Sequence, residues 1–429
     1  MDTKKLKGFY QLSRRERVKR VCSMSDLTER DERILLGEEP LSIEIAEHLI
    51  ENVVGYYPIP LGVATYFTVD GKSLFIPMAV EETSIIAAAS STAKWISKEG
   101  AIRTYAKGRL IIGQIQIPHV RDIEFTKKIL GQKRAQLIEI ANFFLPGLVQ
   151  RGGGVRDIAI RDLSERSKDP MLVLHVLCDP CDAMGANLIN QVCEALKPKI
   201  EELTKEKVGL CIVSNLVDTR LVGAEVTLRS VDVGLAQGIQ EASYFAEVDP
   251  YRAATHNKGI LNGIDAVLIA TGNDWRAVEA GCHAYAARLG HYQPLSTWRR
   301  EGDDLVGKIE IPLSVGTVGG VTRLHPMAQV ALKILKVKSS EDLARICAAV
   351  GLVQNLGALR ALATVGIVKG HMQLHAANLA IAAGAEIGEI DSVRDKLILD
   401  LKKSKTISLT RAKEILESIR VEKSESTYF

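Results

Sequence analysis

The chain is short of aromatics, of paired cysteines and of net charge, and each shortage removes a class of function. Phe, Trp and Tyr make up 5% of its 429 residues, and the strand-like stretches LIIGQIQIP, VRDIAIRDL and MLVLHVLCD contain none. A sheet that stacks RNA bases needs them there. Seven cysteines, odd in number and scattered, give no disulfide framework. Cys178 and Cys181 form one CxxC without the second pair a zinc site wants, so both read as small packing residues. The net charge of +3 with 25% charged residues is too balanced for nucleic acid, an anionic membrane or a polyanionic substrate. No apolar run approaches the roughly eighteen residues that cross a bilayer, and MDTKKLKGFYQLSRRERVKR lacks the apolar core of a signal peptide. The expectation is a cytoplasmic protein with neither membrane nor nucleic-acid partner. No GxGxxG opens a βαβ unit, so the familiar dinucleotide fingerprint is missing too.

What is present centres on YRAATHNKGILNGIDAVLIATGNDWRAVE, Tyr251 to Glu279. Lys258 stands there in an Ala-rich, apolar segment with His256, Asn257 and Asn262 beside it, and Gly259 and Gly263 leave room for close approach. A lysine taken at random is a solvated surface charge. In this company it suits a developing oxyanion, and Asp274 folded back onto it would keep the pair ionised in a dry site. A second candidate is the acid pair Glu81 and Glu82 at a strand-to-helix junction, whose plainer reading is complementing a helix N-terminus.

Along the chain, Ser13 and Glu16 read as a capping box, and Asp70-Gly71 joins strands around Val63 to Val69 and Leu74 to Val80 into a hairpin. From Arg109 to Asp218 the periodicity reads β-α-β-β-α-β, the ferredoxin-like order, with one helix from Ile123 to Leu148 and another from Met184 to Leu203. Within it DAMGAN places Asp182 at a helix start with Gly185 beside it, where a phosphate or ribose could sit. Later come a strand near Leu221 to Leu228, a hairpin turning at Gly302-Asp303, a long Ala/Leu helix capped by Ser340 and carrying Gln354 and Asn355, and small helices at the end. His371 and His375 lie one helical turn apart, but no HExxH accompanies them and no metal is expected.

Taken together, ENVVGYYPIPLGVA, IPMAVEETSIIAAAS, DAMGAN, DPYRAATHNKGILNGIDAVLIATGNDWRAVEAG, GLVQNLGALRALAT and KGHMQLHAAN resemble, in this order and over nearly the whole chain, 3-hydroxy-3-methylglutaryl-coenzyme A (HMG-CoA) reductase of the soluble class II type. The resemblance implies an α+β chain: a large, mainly helical domain for substrate and dimerisation (1–108 and 219–367), an inserted ferredoxin-like cofactor domain (109–218) and a C-terminal helical flap (368–429). It implies reduction of HMG-CoA to mevalonate and free coenzyme A with two NAD(P)H, by a homodimer or higher oligomer with active sites at the subunit interface. The alternatives are the same chemistry run oxidatively to consume mevalonate and, from another class, a non-enzymatic scaffold or binding module.

Carried over by motif, the catalytic set is Lys258, Asp274, Glu82 as proton donor and His371 on the flap to protonate the departing thiolate. Ser84, Arg252, Thr255, Asn262 and Gln354 match positions that grip the HMG portion, and Asp182, Met184, Gly185, Asn187 and Asn215 match the cofactor cradle. Three positions depart. Leu145 stands where an acid would hold the ribose of NADH and repel a 2′-phosphate, which favours NADPH; Val365 replaces an acid before Gly366; and Tyr10 replaces a basic residue for the coenzyme A phosphate, with Lys4, Lys5 or Lys7 as substitutes.

Overall fold

The computed structural model describes Leu6 and residues 8–364, 367–404 and 406–426, with side chains for all of these except 367–374, 402–404 and 423–426. Tyr10 is therefore described and exposed, while Lys4, Lys5, Lys7 and Val365 lie outside the described residues.

The N-terminal helices are short and capped. Ser13 and Glu16 close the expected capping box on α1 (Arg14–Ser25), and Thr28 and Asp31 close another on α2 (Glu29–Leu36), which precedes α3 (Ile43–Glu47). The hairpin β1 (Leu61–Val69) and β2 (Lys72–Ala79) turns at Asp70-Gly71, both in the left-handed region with φ of 49° and 77°, as a two-residue turn of this type demands. Then α4 (Ile85–Glu99) runs directly into β3 (Gly100–Lys107), a strand the sequence reading did not anticipate. Its alternation is plain in hindsight: Ile102 faces the core while Arg103 and Lys107 face solvent.

In the middle of the chain follow β4 (Ile111–Ile117), α5 (Ile123–Gln132), α6 (Arg134–Phe143), α7 (Pro146–Gln150), β5 (Gly154–Asp162), β6 (Leu172–Asp179), α8 (Ala186–Thr204) and β7 (Cys211–Ser214). The single helix expected from Ile123 to Leu148 is thus three pieces. Pro146 has no N–H to continue α6 and restricts the residue before it, Leu145, to non-helical angles. The four strands make one antiparallel sheet in the order β5-β6-β4-β7, with Ile115, Leu174 and Val176 packed beneath α8 and α6.

The rest supplies β8 (Leu221–Leu228), α9 (Val233–Val248), α10 (Pro250–Ala270), α11 (Trp275–Ala286), β9 (Ser296–Glu301), β10 (Asp304–Pro312), α12 (Gly320–Leu324), α13 (Pro326–Leu335), α14 (Ser340–Ala363), α15 (Ile367–Ala382), α16 (Ile390–Ser404) and α17 (Leu409–Ser426). Strands read as separate hairpins from sequence join across 200 residues into one six-stranded sheet, β2-β1-β3-β8-β10-β9, so the large part of the chain is less purely helical than expected. Helices α4, α9, α10 and α14 bury its inner face. The last three helices bury a core of their own, including Ala376, Leu397 and Leu416.

At the centre lies α14, buried nearly all round from Leu343 to Leu359. It is long and apolar enough to cross a bilayer, a property the sequence reading missed because Arg, Gln and Asn interrupt the run; two thirds of that stretch, 67%, is buried inside the protein, which marks it as a core helix. Ser339, one residue before the expected Ser340, caps it. Against it α10 packs through glycine. A Cβ at Gly263 would lie 2.9 Å from Gln354 Cβ, and one at Gly351 would lie 2.8 Å from the Ile264 side chain. Gly263→Val should therefore force the helices apart and destabilise the fold by about 1–3 kcal/mol, read as a lower urea midpoint; an unchanged midpoint would show that the close approach is dispensable.

Candidate active site

The turn from β2 into α4 carries Glu82. Ser84, the residue before α4, sits at φ 75°, a left-handed backbone that a serine adopts at some cost. That kink ends the strand abruptly and turns the EETS segment toward α10, where Lys258 Nζ reaches Glu82 Oε2 at 3.1 Å. The pair is open to solvent, with side chains 61% and 41% exposed, so it adds less than about 1 kcal/mol to stability. Its effect is to hold a cation beside a carboxyl group at a surface that a ligand can reach.

Helix α10 begins firmly: the Asp249 carboxylate accepts from Arg252 N at 3.0 Å and Pro250 occupies the first turn. Thr255, Lys258, Asn262 and Asp265 then follow at spacings of three, four and three, one polar stripe along an otherwise buried helix. Half-buried Arg252 forms no ion pair among the described residues, and burial lowers its guanidinium below the ordinary arginine value. Across the close helix contact, Gln354 is 6% exposed and its Oε1 is buried without a partner. A guanidinium with no ion pair on α10 and an orphaned amide oxygen on α14 are groups suited to a polar ligand. Gly263, expected to leave room for a ligand, serves this helix contact instead; Gly259 faces open space.

Beneath Lys258 the sequence reading missed a buried polar network. His256 Nε2 hydrogen-bonds Ser296 Oγ at 2.8 Å; Ser296 Oγ and Trp298 Nε1 both donate to Asn355 Oδ1, at 2.9 and 2.8 Å. The next residue, Asn257, takes both backbone groups of the segment leading into β9, donating to Gln293 O at 2.9 Å and accepting from Leu295 N at 2.8 Å. Burial, and then Arg252, push the His256 imidazole down to about 3, so it stays neutral throughout the physiological range. Polar residues inside the apolar runs of α10 and α14 were the available signal; their partners on β9 were not.

Asp274 differs from expectation. It caps α11, accepting from Ala277 N at 3.2 Å, and pairs with Arg276 Nε at 3.3 Å; the ion pair with Lys258 is not formed, because Lys258 takes Glu82 instead. Asp182 also differs. The helix it was expected to open starts at Ala186, capped by Gly185 at φ 93°, and the Asp182 carboxylate accepts from Ser340 N at 2.8 Å. It anchors the DAMGAN loop on the first turn of α14. Buried Arg220 braces the same joint, donating to Ser340 Oγ at 2.9 Å and Val315 O at 3.2 Å, with its guanidinium pushed down to about 10 by burial. Leu145 is a third correction: it is 8% exposed, packed in the core of the smaller sheet rather than turned toward a ligand.

The remaining cofactor candidates do converge. Met184 and Asn215 line a groove with Ala186, Ser314, Ala277 and Val278, the last two one turn beyond Asp274. A Cβ at Gly316 would come within 2.7 Å of Met184 N, so only glycine lets the loop after β10 meet DAMGAN. Asn187 is exposed on the first turn of α8, whose N-terminal amides lack a side-chain cap. Ser84, Thr255 and Asn262 lie on the α4 and α10 borders of the Lys258 surface. His371 belongs to α15, but its side chain lies outside the described residues.

Residues 12–376 match the family described as hydroxymethylglutaryl-coenzyme A reductase. The chain belongs to that family. It is similar to the 3-hydroxy-3-methylglutaryl-coenzyme A reductase of Archaeoglobus fulgidus, 46% identical over 421 residues, covering 97% of this chain and 95% of the relative. A probable reductase of Borreliella burgdorferi is 36% identical over 384 residues, 87% of each chain. Among solved structures, the reductase of Streptococcus pneumoniae superposes with a TM-score of 0.81 at 38% identity, covering 96% of this chain and 99% of that one. A class II reductase structure from the same organism, bound to NADPH in open conformations, matches with a TM-score of 0.81 at 38% identity over 83% of this chain and 99% of that one. This chain is thus a hydroxymethylglutaryl-CoA reductase with the class II fold.

Lys258→Ala removes the cation while breaking only an exposed pair. Turnover of HMG-CoA should fall by at least about a thousandfold, with the melting temperature nearly unchanged. Activity within tenfold of wild type would remove Lys258 from the chemistry.

Proposed function

We propose that the protein reduces HMG-CoA to mevalonate at the surface formed by Glu82, Lys258, Arg252 and Gln354, using NADPH in preference to NADH. The Lys258–Glu82 contact at 3.1 Å carries this reading, because it sets a cation beside the carboxyl group that is to supply the proton, where an acyl oxygen would lie. Arg252 takes the free carboxylate of the substrate, and a substrate hydroxyl donates to the orphaned Oε1 of Gln354. Ser84, Thr255 and Asn262 complete the grip along the same border.

We place a nicotinamide dinucleotide along the edge of this groove, where Asn215 offers an amide side chain and the N-terminus of α8 beside Gly185, which lacks a side-chain cap, suits a pyrophosphate. Met184, Gly185 and Asn187 would hold it, and when bound the cofactor supplies the hydride. Lys258 stabilises the oxyanion that forms as the thioester carbonyl is reduced, and Glu82 gives it a proton. The resulting hemithioacetal returns its hydroxyl proton to Glu82 as its C–S bond breaks, leaving the aldehyde and coenzyme A thiolate, which His371 on the flap protonates. A second reduction of the aldehyde, with the same Lys258 and Glu82, completes mevalonate. Asp274 joins this set by exchanging Arg276 for Lys258 on closure. Asp182 acts at one remove, holding the loop.

The NADPH preference rests on the NADPH-bound relative. The division into a substrate domain (1–108 and 219–367), a ferredoxin-like cofactor domain (109–218) and a flap (368–429) follows the separate cores and the β5-β6-β4-β7 order. A homodimer would cover the exposed apolar side chains of Val54 in the ENVVG motif, of Tyr56, Tyr57 and Ile59 just after it, and of Tyr244, Phe245 and Val248 on α9.

Loss of reduced-nicotinamide absorbance with HMG-CoA should show two equivalents oxidised per substrate and a higher kcat/KM with NADPH than with NADH. Equal values for the two cofactors would sink the preference, and no oxidation with either would sink the reductase reading. His371→Gln should impair reduction of the thioester far more than reduction of free mevaldehyde, because only the first step releases a thiolate; equal losses would argue against thiolate protonation.

A further inference from the structure

We propose that Asn273 is a positioning residue: its side chain seats the loop after β10 on the turn between α10 and α11, and so sets the DAMGAN loop relative to Asp274, the next residue. The turn is itself well fixed. Gly272, at φ 68° in the left-handed region, stops α10 and brings Asn273 N back to donate to Leu268 O at 2.9 Å. Asn273 Nδ2 donates to Thr271 Oγ1 at 3.0 Å, which orients the amide, and its Oδ1 accepts from Gly316 N at 2.8 Å. A backbone N–H can only donate, so the atom that faces it must be the oxygen. Gly316 is buried, so solvent does not replace this bond when it is lost. Thr322 ties down the far end of the loop, its Oγ1 donating between Thr271 O at 3.1 Å and Gly272 O at 3.2 Å.

The other side of the same loop carries DAMGAN. Ser314 Oγ donates to Met184 O at 3.3 Å, Thr317 N donates to Asp182 O at 2.9 Å, and a Cβ at Gly316 would come within 2.7 Å of Met184 N. Gly316 therefore meets the α10–α11 turn through its N–H and the cofactor loop through its missing side chain. Arg220 also holds this loop, at Val315 O, but ties it to Ser340 at the start of α14 rather than to the turn. An amide suits the position. Aspartate would accept the same bond while adding a negative charge beside Asp274, and alanine would offer Gly316 no acceptor.

That DAMGAN holds a nicotinamide cofactor rests on the proposed function, whereas the seating of the loop does not, so two readouts on the full-length protein separate them. In hydrogen–deuterium exchange of the ligand-free protein, Asn273→Ala should speed uptake about five- to tenfold in peptides covering both 313–318 and 181–186. Asn273→Asp, which keeps an acceptor for Gly316 N, should leave both segments as protected as in wild type. In titrations followed by reduced-nicotinamide fluorescence, Asn273→Ala should raise the NADPH Kd about five- to tenfold, and in turnover it should lower kcat/KM for NADPH while KM for HMG-CoA stays within about twofold of wild type. Equal protection of Asn273→Ala and wild type, or an Asn273→Asp as loose as Asn273→Ala, would overturn the seat. Faster uptake confined to 313–318, or an unchanged NADPH Kd while both segments loosen, would overturn positioning. Asn273→Ser gives the same readouts should Asn273→Ala fail to fold, and a wild type that binds no NADPH would refute the cofactor reading while the exchange data still decide the seat.

Discussion

The contact between α10 and α14 is the constraint from which the site is built. Glycines at 263 and 351 let two long helices approach until a methyl group would not fit between them. At that distance Gln354 on one helix lies against Gly263 on the other, the residue that follows the asparagine of the polar stripe. Few of the polar groups along this contact are exposed, so each must find a partner in the protein or in a ligand. Most find one in the protein. Among those that do not are the Gln354 oxygen and the Arg252 guanidinium, both proposed to meet substrate.

The second element of the design is the separation of rigidity from exposure. Lys258 itself is open to water, yet the two residues before it are locked: Asn257 by the chain entering β9, and His256 by Ser296 and Asn355. A neutral histidine in that position costs less to bury than a charged one and keeps an extra cation away from the lysine. The reactive group is thereby left free to meet a ligand while its backbone has almost no freedom.

Motifs made most of the site legible in the sequence, because close residues such as His256, Asn257 and Lys258 travel together on one helix. The hairpins were legible for a similar reason: Asp70-Gly71 and Gly302-Asp303 specify their turns locally. Pairings across long separations were not. Nothing near Lys258 says that its partner is Glu82, 176 residues earlier, rather than Asp274 in the next helix. The same holds for β3, whose ends are set by neighbours β1 and β8, and for Asp182, which looks like a helix cap until Ser340 is brought beside it from 158 residues away. Leu145 misled in another way: its place in the motif was clear, but an apolar side chain has no reason to stay at a polar surface and turned into the core.

The joint between Asp182 and Ser340 makes α14 a ruler. The cofactor loop is pinned to the first residue of this helix and Gln354 stands fourteen positions further along it, a separation of about 21 Å on a rigid rod. One residue inserted between them would lengthen the rod by only about 1.5 Å but turn Gln354 by about 100°, away from α10. In this stretch the protein should accept changes of side chain far more readily than changes of length.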